Sequence, residues 1–403
     1  MNPMLLLFVA LFNSVLGFSV LFPIFAPLGR ELGLSETEVG LLSTGYALMQ
    51  FLFAAQWGRR SESWGRRPVL LTGILGFAGG FLLFGVVGEL GLRGLVEGRL
   101  LFALLLLGRV LGGALSSATL PTAQAYAADL SGREDRTAAM AMIGAAFGLA
   151  LIFGPAIGAG IARATGSLLA PVYFSCAVAL ANALFVALRL PEPERAGPAP
   201  GEEPPEAERA TLTARVWPLL AVGLATTVAS VAMQQTVAFA FMDRLRLDEL
   251  EAAEVVGIAL ALYGMVAVLT QGVIVRRVRW TPRTLMLLGL PAALGGFVLF
   301  VFAESYGALL AALLLQGFGQ GLALPGVTSA TSLAVGDGEQ GAVAGLASSA
   351  QGLGRTVGPV VGTPLYELDD QLPYGFGAVM LALGLVALLA RPGLGVARPR
   401  RVT

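Results

Sequence analysis

Long apolar stretches separated by short polar connections dominate the chain, and their length decides what they are. A helix needs about 20 apolar residues to cross the hydrocarbon of a bilayer. On that measure the pattern predicts spans near residues 4–28, 37–57, 68–88, 99–127, 137–162 and 169–189. Six more follow near 215–240, 253–275, 284–303, 306–332, 341–365 and 373–391. The expected class is an all-α membrane protein of twelve transmembrane helices. The first 28 residues lack a basic start and a small-residue cleavage site, so they read as a retained first span.

The polar connection after span 6 is of a different kind. Residues 191–210, PEPERAGPAPGEEPPEAERA, combine Pro with Glu and hold almost no large apolar residue, as an extended linker does. It divides the chain into an N-terminal bundle, 1–190, a cytoplasmic Pro/Glu-rich linker, 191–214, and a C-terminal bundle, 215–403. An internal repeat supports the division: Gly148, Gly154, Pro155 and Gly158 correspond in spacing to Gly352, Gly358, Pro359 and Gly362. Duplicated six-helix halves with binding near the midplane are a recurrent transporter design.

Composition strengthens the membrane reading. Charged residues make up 13% of the 403 and hydrophobic ones 56%, with a mean hydropathy of +0.77. So few charges cannot cover a water-facing surface. A net charge of zero argues against a nucleic-acid partner, which needs a basic excess. Every basic residue is Arg, and with no His there is no imidazole for proton relay, metal ligation or general-base work. Cys176 is the single cysteine, which excludes an intramolecular disulfide or a thiolate cluster, and neither a metal nor a cofactor is expected. With the N-terminus placed in the cytoplasm, eighteen arginines fall in inner segments and six in outer loops, while Arg109 and Arg355 lie within spans. That bias puts both termini in the cytoplasm.

The loop between spans 2 and 3 reads Gly58-Arg-Arg-Ser-Glu62-Ser-Trp-Gly65-Arg66-Arg67. It resembles the signature loop of the major facilitator superfamily, with Glu62 where Asp is usual and Ser63 at a basic position. The resemblance implies two pseudo-symmetric six-helix bundles. It also implies a cytoplasmic latch formed by Gly58, Glu62, Gly65, Arg66 and Arg67, its acid facing the start of span 11. A carboxylate there would favour the positive end of a helix dipole. Asp129 and Arg136, in the Tyr126-Ala-Ala-Asp129 stretch and beyond, extend the likeness to the twelve-span drug:proton antiporter branch. Arg109-Val-Leu-Gly-Gly113 is similar to that family's Arg-x-x-x-Gly motif. Gly154-Pro155-Ala-Ile-Gly158 is similar to its antiporter glycine-proline motif, with Ala150 and Ala159 where glycines are usual. Small residues at Gly154, Gly158, Gly358 and Gly362, beside Pro155 and Pro359, also suit close helix packing by themselves.

An arginine in mid-span is expensive unless it faces a cavity or a partner. Arg109, Ser116 and Gln124, with Gly113 and Ser117, fall near one helical face and read as a water-accessible wall. Asn13 on span 1, Gln234 and Gln235 on span 7, Tyr263 on span 8, Gln316 and Gln320 on span 10, and Gln351 and Arg355 on span 11 complete the expected substrate cavity. For any one Gln, interhelical hydrogen bonding is an equal alternative. Proton antiport needs a carboxylate tuned by burial, yet no span carries one at its middle. A terminal acid such as Glu62 or Asp129, a charged substrate, or uncoupled transport would each resolve this. The expectation is a monomeric exporter of amphipathic or anionic small molecules in a bacterial inner membrane, with protons as coupling ion and the lipid bilayer as surroundings. Uptake of a sugar or organic anion is the alternative, and a non-transport membrane protein the remote one.

Overall fold

The computed structural model describes residues 3–131, 136–193, 216–278, 280–335 and 340–391, and every regular element among them is a helix. The predicted linker falls almost wholly outside the described residues, as do the side chains of 132–138, including Arg136. Among the described residues fifteen α-helices run in chain order. They are α1 (Pro3–Ser19), α2 (Phe25–Glu31), α3 (Glu36–Trp64), α4 (Arg66–Leu92), α5 (Gly98–Ser116), α6 (Thr119–Leu130), α7 (Arg136–Thr165) and α8 (Ala170–Arg189). Then come α9 (Val216–Leu245), α10 (Glu249–Leu269), α11 (Arg276–Val278), α12 (Pro282–Phe302), α13 (Tyr306–Leu333), α14 (Gln340–Leu368) and α15 (Leu372–Ala390).

Among the described residues, ten helical segments are long and apolar enough to cross a membrane. The two other predicted spans fall short for physical reasons. Span 1 is cut to 17 residues by a turn at 20–24, where Pro23 withholds a backbone N–H. Span 11 is α14, diluted by glycines, serines and Arg355. Span 4 also breaks, between α5 and α6. Ser117 Oγ bonds back to the Ala114 carbonyl at 2.8 Å, and Pro121 cannot donate to the Ser117 carbonyl. In span 8, α10 passes through a π-helical turn, Thr270–Val275, before α11.

The backbone divides into two compact units, Met1–Ala199 with Arg246–Ala261, and Pro200–Leu245 with Leu262–Thr403. In unit 1, α1 packs on α7 and α8, α4 on α5 and α8, and α3 on α5. Unit 2 repeats the scheme six spans later: α9 packs on α14 and α15, and α12 on α13 and α15. The glycine-proline helices explain why. A Cβ at Gly154 or Gly158 would overlap Ser19 or the Val20 carbonyl of the α1 turn. One at Gly358 or Gly362 would come within 2.7 to 2.8 Å of Val231 or Ala232 on α9. Each half therefore brings its first and fifth spans together on glycine.

Large side chains fill both cores, among them Leu7, Leu11, Ile24 and Leu28 in unit 1 and Phe239, Phe241, Phe297 and Phe300 in unit 2. Others point outward, with Leu188 71% and Phe302 75% exposed, a surface suited to lipid rather than water. One end of unit 2 is pinned by Arg244. Its Nε lies 2.7 Å from Asp370, its Nη1 donates to the Phe300 and Ala303 carbonyls at 2.6 and 3.0 Å, and Asp243 accepts from Tyr366 Oη at 2.6 Å.

Candidate functional site

Three groups of polar residues stand out, two in unit 1 and one in unit 2. The first is centred on Arg109 of α5, which is 6% exposed. Its guanidinium carbon lies 4.3 Å from the ring centre of Tyr46, 5.0 Å from Phe25 and 5.4 Å from Phe81. Its Nε also donates to the Leu42 carbonyl at 3.4 Å. Among the described residues no carboxylate pairs with it. Three ring faces therefore take the place of a counter-ion, each contributing about 0.5–2 kcal/mol. Tyr46 is held in turn: Gln50 donates to its oxygen at 3.2 Å, and the hydroxyl meets Ser116 Oγ at 2.8 Å. Gly113 is needed one turn earlier, because a Cβ there would sit 2.6 Å from the Tyr46 carbonyl oxygen.

The polar wall expected on span 4 divides. Ser116 and Ser117 are buried and Gln124 is exposed, because the break at Ser117–Ala118 turns α6 away from the register of α5. Asn13 is half-buried on α1. A neighbouring amide that the sequence pattern did not single out, Asn182 of α8, is buried and donates to the Ala10 carbonyl at 2.9 Å and to Ser14 Oγ at 3.0 Å. Its Oδ1 has no partner among the described residues.

The second group is the signature loop. Gly65 has φ +101°, where a side chain is strained, and a Cβ there would lie 2.9 Å from Glu192 Oε1. This conformation turns the chain directly from α3 into α4 and aims the first N–H groups of α4 at Glu192. That carboxylate, just past α8, accepts from the backbone of Arg66 and, at 2.9 Å, of Arg67. An acid at a helix N-terminus satisfies orphan donors and the dipole together. The Arg66 side chain pairs with Asp129 of α6 at 2.7 Å and donates to Ser61 Oγ at 2.6 Å. Ser61 passes that bond to the Gly58 carbonyl, also at 2.6 Å. Arg67 donates to the Ala187 carbonyl and Tyr126 to that of Pro191. The loop thus brings Gly58, Gly65, Arg66, Arg67 and Asp129 into one network, while Glu62 stays exposed. Glu192 lay hidden in sequence as the first acid of an acidic stretch.

Elsewhere in unit 1, Arg163 of α7 pairs with Glu254 of α10. Glu31, at the end of α2 beyond the apolar stretch, is pushed up from the ordinary carboxyl range by burial and by the Glu249 carboxylate. An open groove of about 430 Å³ between α4 and α5 is walled by Gly76, Gly79, Gly80, Gly112 and leucines. Its lining carries little polarity with which to recognise a solute.

The third group lies in unit 2 on α9, α10 and α13. Gln316 Nε2 donates to Ser230 Oγ at 2.9 Å, and Ser230 donates to Gln320 Oε1 at 3.1 Å. One turn along α9, Gln234 donates to Tyr263 Oη at 3.4 Å. Gln316 Oε1 and Gln235 Nε2 are buried without a partner among the described residues. Gln351 is half-buried on α14, whereas Arg355, one turn beyond it, is exposed and has no carboxylate partner among the described residues. Pro359, one turn further on, has no N–H to donate to the Arg355 carbonyl.

A model of the Major Facilitator Superfamily matches residues 7–359 and 252–401. Multidrug resistance protein 1 of Bacillus subtilis (strain 168) is 28% identical over 384 residues, covering 94% of each chain. The class C tetracycline resistance protein of Escherichia coli is 27% identical over 398 residues, covering 94% of this chain and 93% of its own. Among solved structures, the human organic anion transporter MFSD10 (TETRAN) superposes with a TM-score of 0.67 at 23% identity, over 96% of this chain and 98% of that one. The nucleoside transporter NupG superposes with a TM-score of 0.75 at 14% identity, over 96% and 99%.

Proposed function

Because the chain belongs to the major facilitator superfamily, a multi-pass membrane family of small-molecule transporters, we propose that it exports amphipathic small molecules, multidrug or tetracycline-like in kind, by alternating access. The observation that carries this reading is the wall of Ser230, Gln234, Gln235, Tyr263, Gln316 and Gln320. It holds amides and hydroxyls with no acid, base or activated nucleophile, and so binds without reacting. The relatives named for multidrug and tetracycline resistance, matched over nearly their whole length, supply the direction of transport.

In this reading the working halves are residues 1–190 and 215–403, joined by the linker 191–214, with both termini in the cytoplasm of a bacterial cell and the chain acting as a monomer in its inner membrane. The cavity residues are Asn13, Arg109, Ser116, Gln124, Gln351 and Arg355 together with the unit 2 wall. The network around Gly65 is the cytoplasmic latch, with Glu62 as its free acid and Arg136 as a further member. Protons drive the cycle. Asp129 is engaged by Arg66, which leaves Glu62 as the terminal acid open to exchange.

Inverted vesicles or proteoliposomes test this. Tetracycline and ethidium uptake should rise with an imposed pH gradient and collapse with a protonophore. A second reading rests on Arg109 and Arg355, two guanidiniums without carboxylate partners among the described residues, which favour an anionic substrate. If drugs do not move but an organic anion or sugar shows counterflow, uptake replaces export.

A further inference from the structure

The hydrogen bonds of unit 2 have a property that single polar contacts lack. Ser230 has one hydroxyl proton, and it stands between two amides, accepting from Gln316 and donating to Gln320. An amide turned over exchanges its N–H and C=O ends. If both amides turn, Ser230 donates to Gln316 and accepts from Gln320, and the bonds survive in the opposite direction. Ser230 is 2% exposed and Gln316 is fully buried, so the inner end is sealed, whereas Gln320 is half-buried. In one direction Gln320 has its N–H groups left to offer; in the other, its carbonyl oxygen.

The buried end carries the mark of an unfinished network. Gln316 Oε1 has no partner among the described residues, and a buried polar atom left alone is costly. Reversal satisfies that oxygen and transfers the vacancy to the amide nitrogen, so the two directions lie close in energy. Beside the relay, Tyr263 accepts from Gln234 and keeps its own proton to donate, and it packs against Gly317, adjacent to Gln320 on α13.

We propose that Ser230, Gln316 and Gln320 form a reversible hydrogen-bond relay through which unit 2 holds either a donor or an acceptor on an uncharged polar group of the transported molecule, such as an amide, hydroxyl or enol. This rests on the export reading and adds the chemistry that lets one site serve unlike molecules. Adaptation by turning amides needs no movement of backbone.

Three probes of similar bulk test it on the purified full chain, with affinity read from ligand-dependent thermal stabilisation. Triphenylphosphine oxide offers only an acceptor, 2,3-diphenylindole offers only a donor, and tetraphenylphosphonium offers neither. Ser230→Ala should weaken both the oxide and the indole by about tenfold, the scale of one lost buried hydrogen bond, and leave tetraphenylphosphonium within about twofold. Gln320→Leu, at a half-buried position, should act in the same direction and serves if Ser230→Ala does not fold. Loss for only one of the two polar probes overturns the reversible relay, as does an equal loss for all three or no loss at all. If the wild-type chain binds tetraphenylphosphonium but neither polar probe, the relay alone falls; if it binds none of the three, the export reading falls with it.

Discussion

The guanidinium of Arg109 lies over the ring of Tyr46, 4.3 Å from its centre, in a unit that offers it no carboxylate among the described residues. A buried cation is thus held by quadrupoles and not by charge. Tyr46→Leu removes the nearest ring and should lower unfolding stability by about 2–3 kcal/mol. Tyr46→Phe keeps the ring but loses the bonds to Ser116 and Gln50, at about 1 kcal/mol. Thermal melts in detergent read the order; equal effects would mean the ring face contributes nothing.

The Arg66–Asp129 pair is three-quarters or more buried, so its loss should register where a surface pair would not. Asp129→Asn should cost about 1.5–3 kcal/mol and slow transport. A double-mutant cycle with Arg66→Met should give a coupling of about 1–3 kcal/mol, and additive effects would exclude the pair as a unit. Glu192→Gln tests the neighbouring contact: it keeps the shape but loses the charge at the start of α4, for about 0.5–1 kcal/mol.

Two glycines two residues apart on α7 behave oppositely. Gly158→Ala places a Cβ into the Val20 carbonyl and should abolish folded yield or cost several kcal/mol, in the range of overpacked cores at about 1–3 or more. Gly160→Ala meets nothing within 4 Å and should be neutral or stabilise α7 by about 0.5–1 kcal/mol. Expression and melting of the two variants side by side decide whether close packing, and not helix propensity, fixes this motif.

Acidity should act through Glu31. Its raised carboxyl pKa means that the folded chain holds the proton more tightly than the unfolded chain does. The contribution to stability is therefore present at low pH and is lost as pH rises from the ordinary value of 4.5 through the raised one. Glu31→Gln should flatten that part of the melting-temperature profile, and Glu249→Gln should flatten it less, because burial is the larger cause. A profile unchanged in Glu31→Gln would assign the acid dependence to another group.

Much of the fold was legible because lipid imposes a length and a composition on anything that crosses it. Ten of the expected spans meet both demands outright, and the glycine-proline repeat marked α7 and α14 as corresponding helices, while their packing against α1 and α9 came from the structure. The signature loop was likewise readable, since Gly65 marks a backbone turn that other residues strain to make. The breaks were harder. Ser117 and Pro121 look unremarkable within an apolar run, yet together they end α5 and move Gln124 out of register with Ser116.

Hydropathy, spacing and the scarcity of charge by themselves determined that this is an all-helical, multi-span membrane protein with arginines where arginines are expensive. Only the tertiary structure decided which groups meet. Tyr46 and Arg109 are 63 positions apart, Ser230 and Gln316 are 86 apart, and Glu192 is 126 from the backbone it caps. Sequence periodicity reports which face of a helix is apolar, a local property; a hydrogen bond or a ring under a cation depends on how two distant helices cross, which close packing on glycines sets.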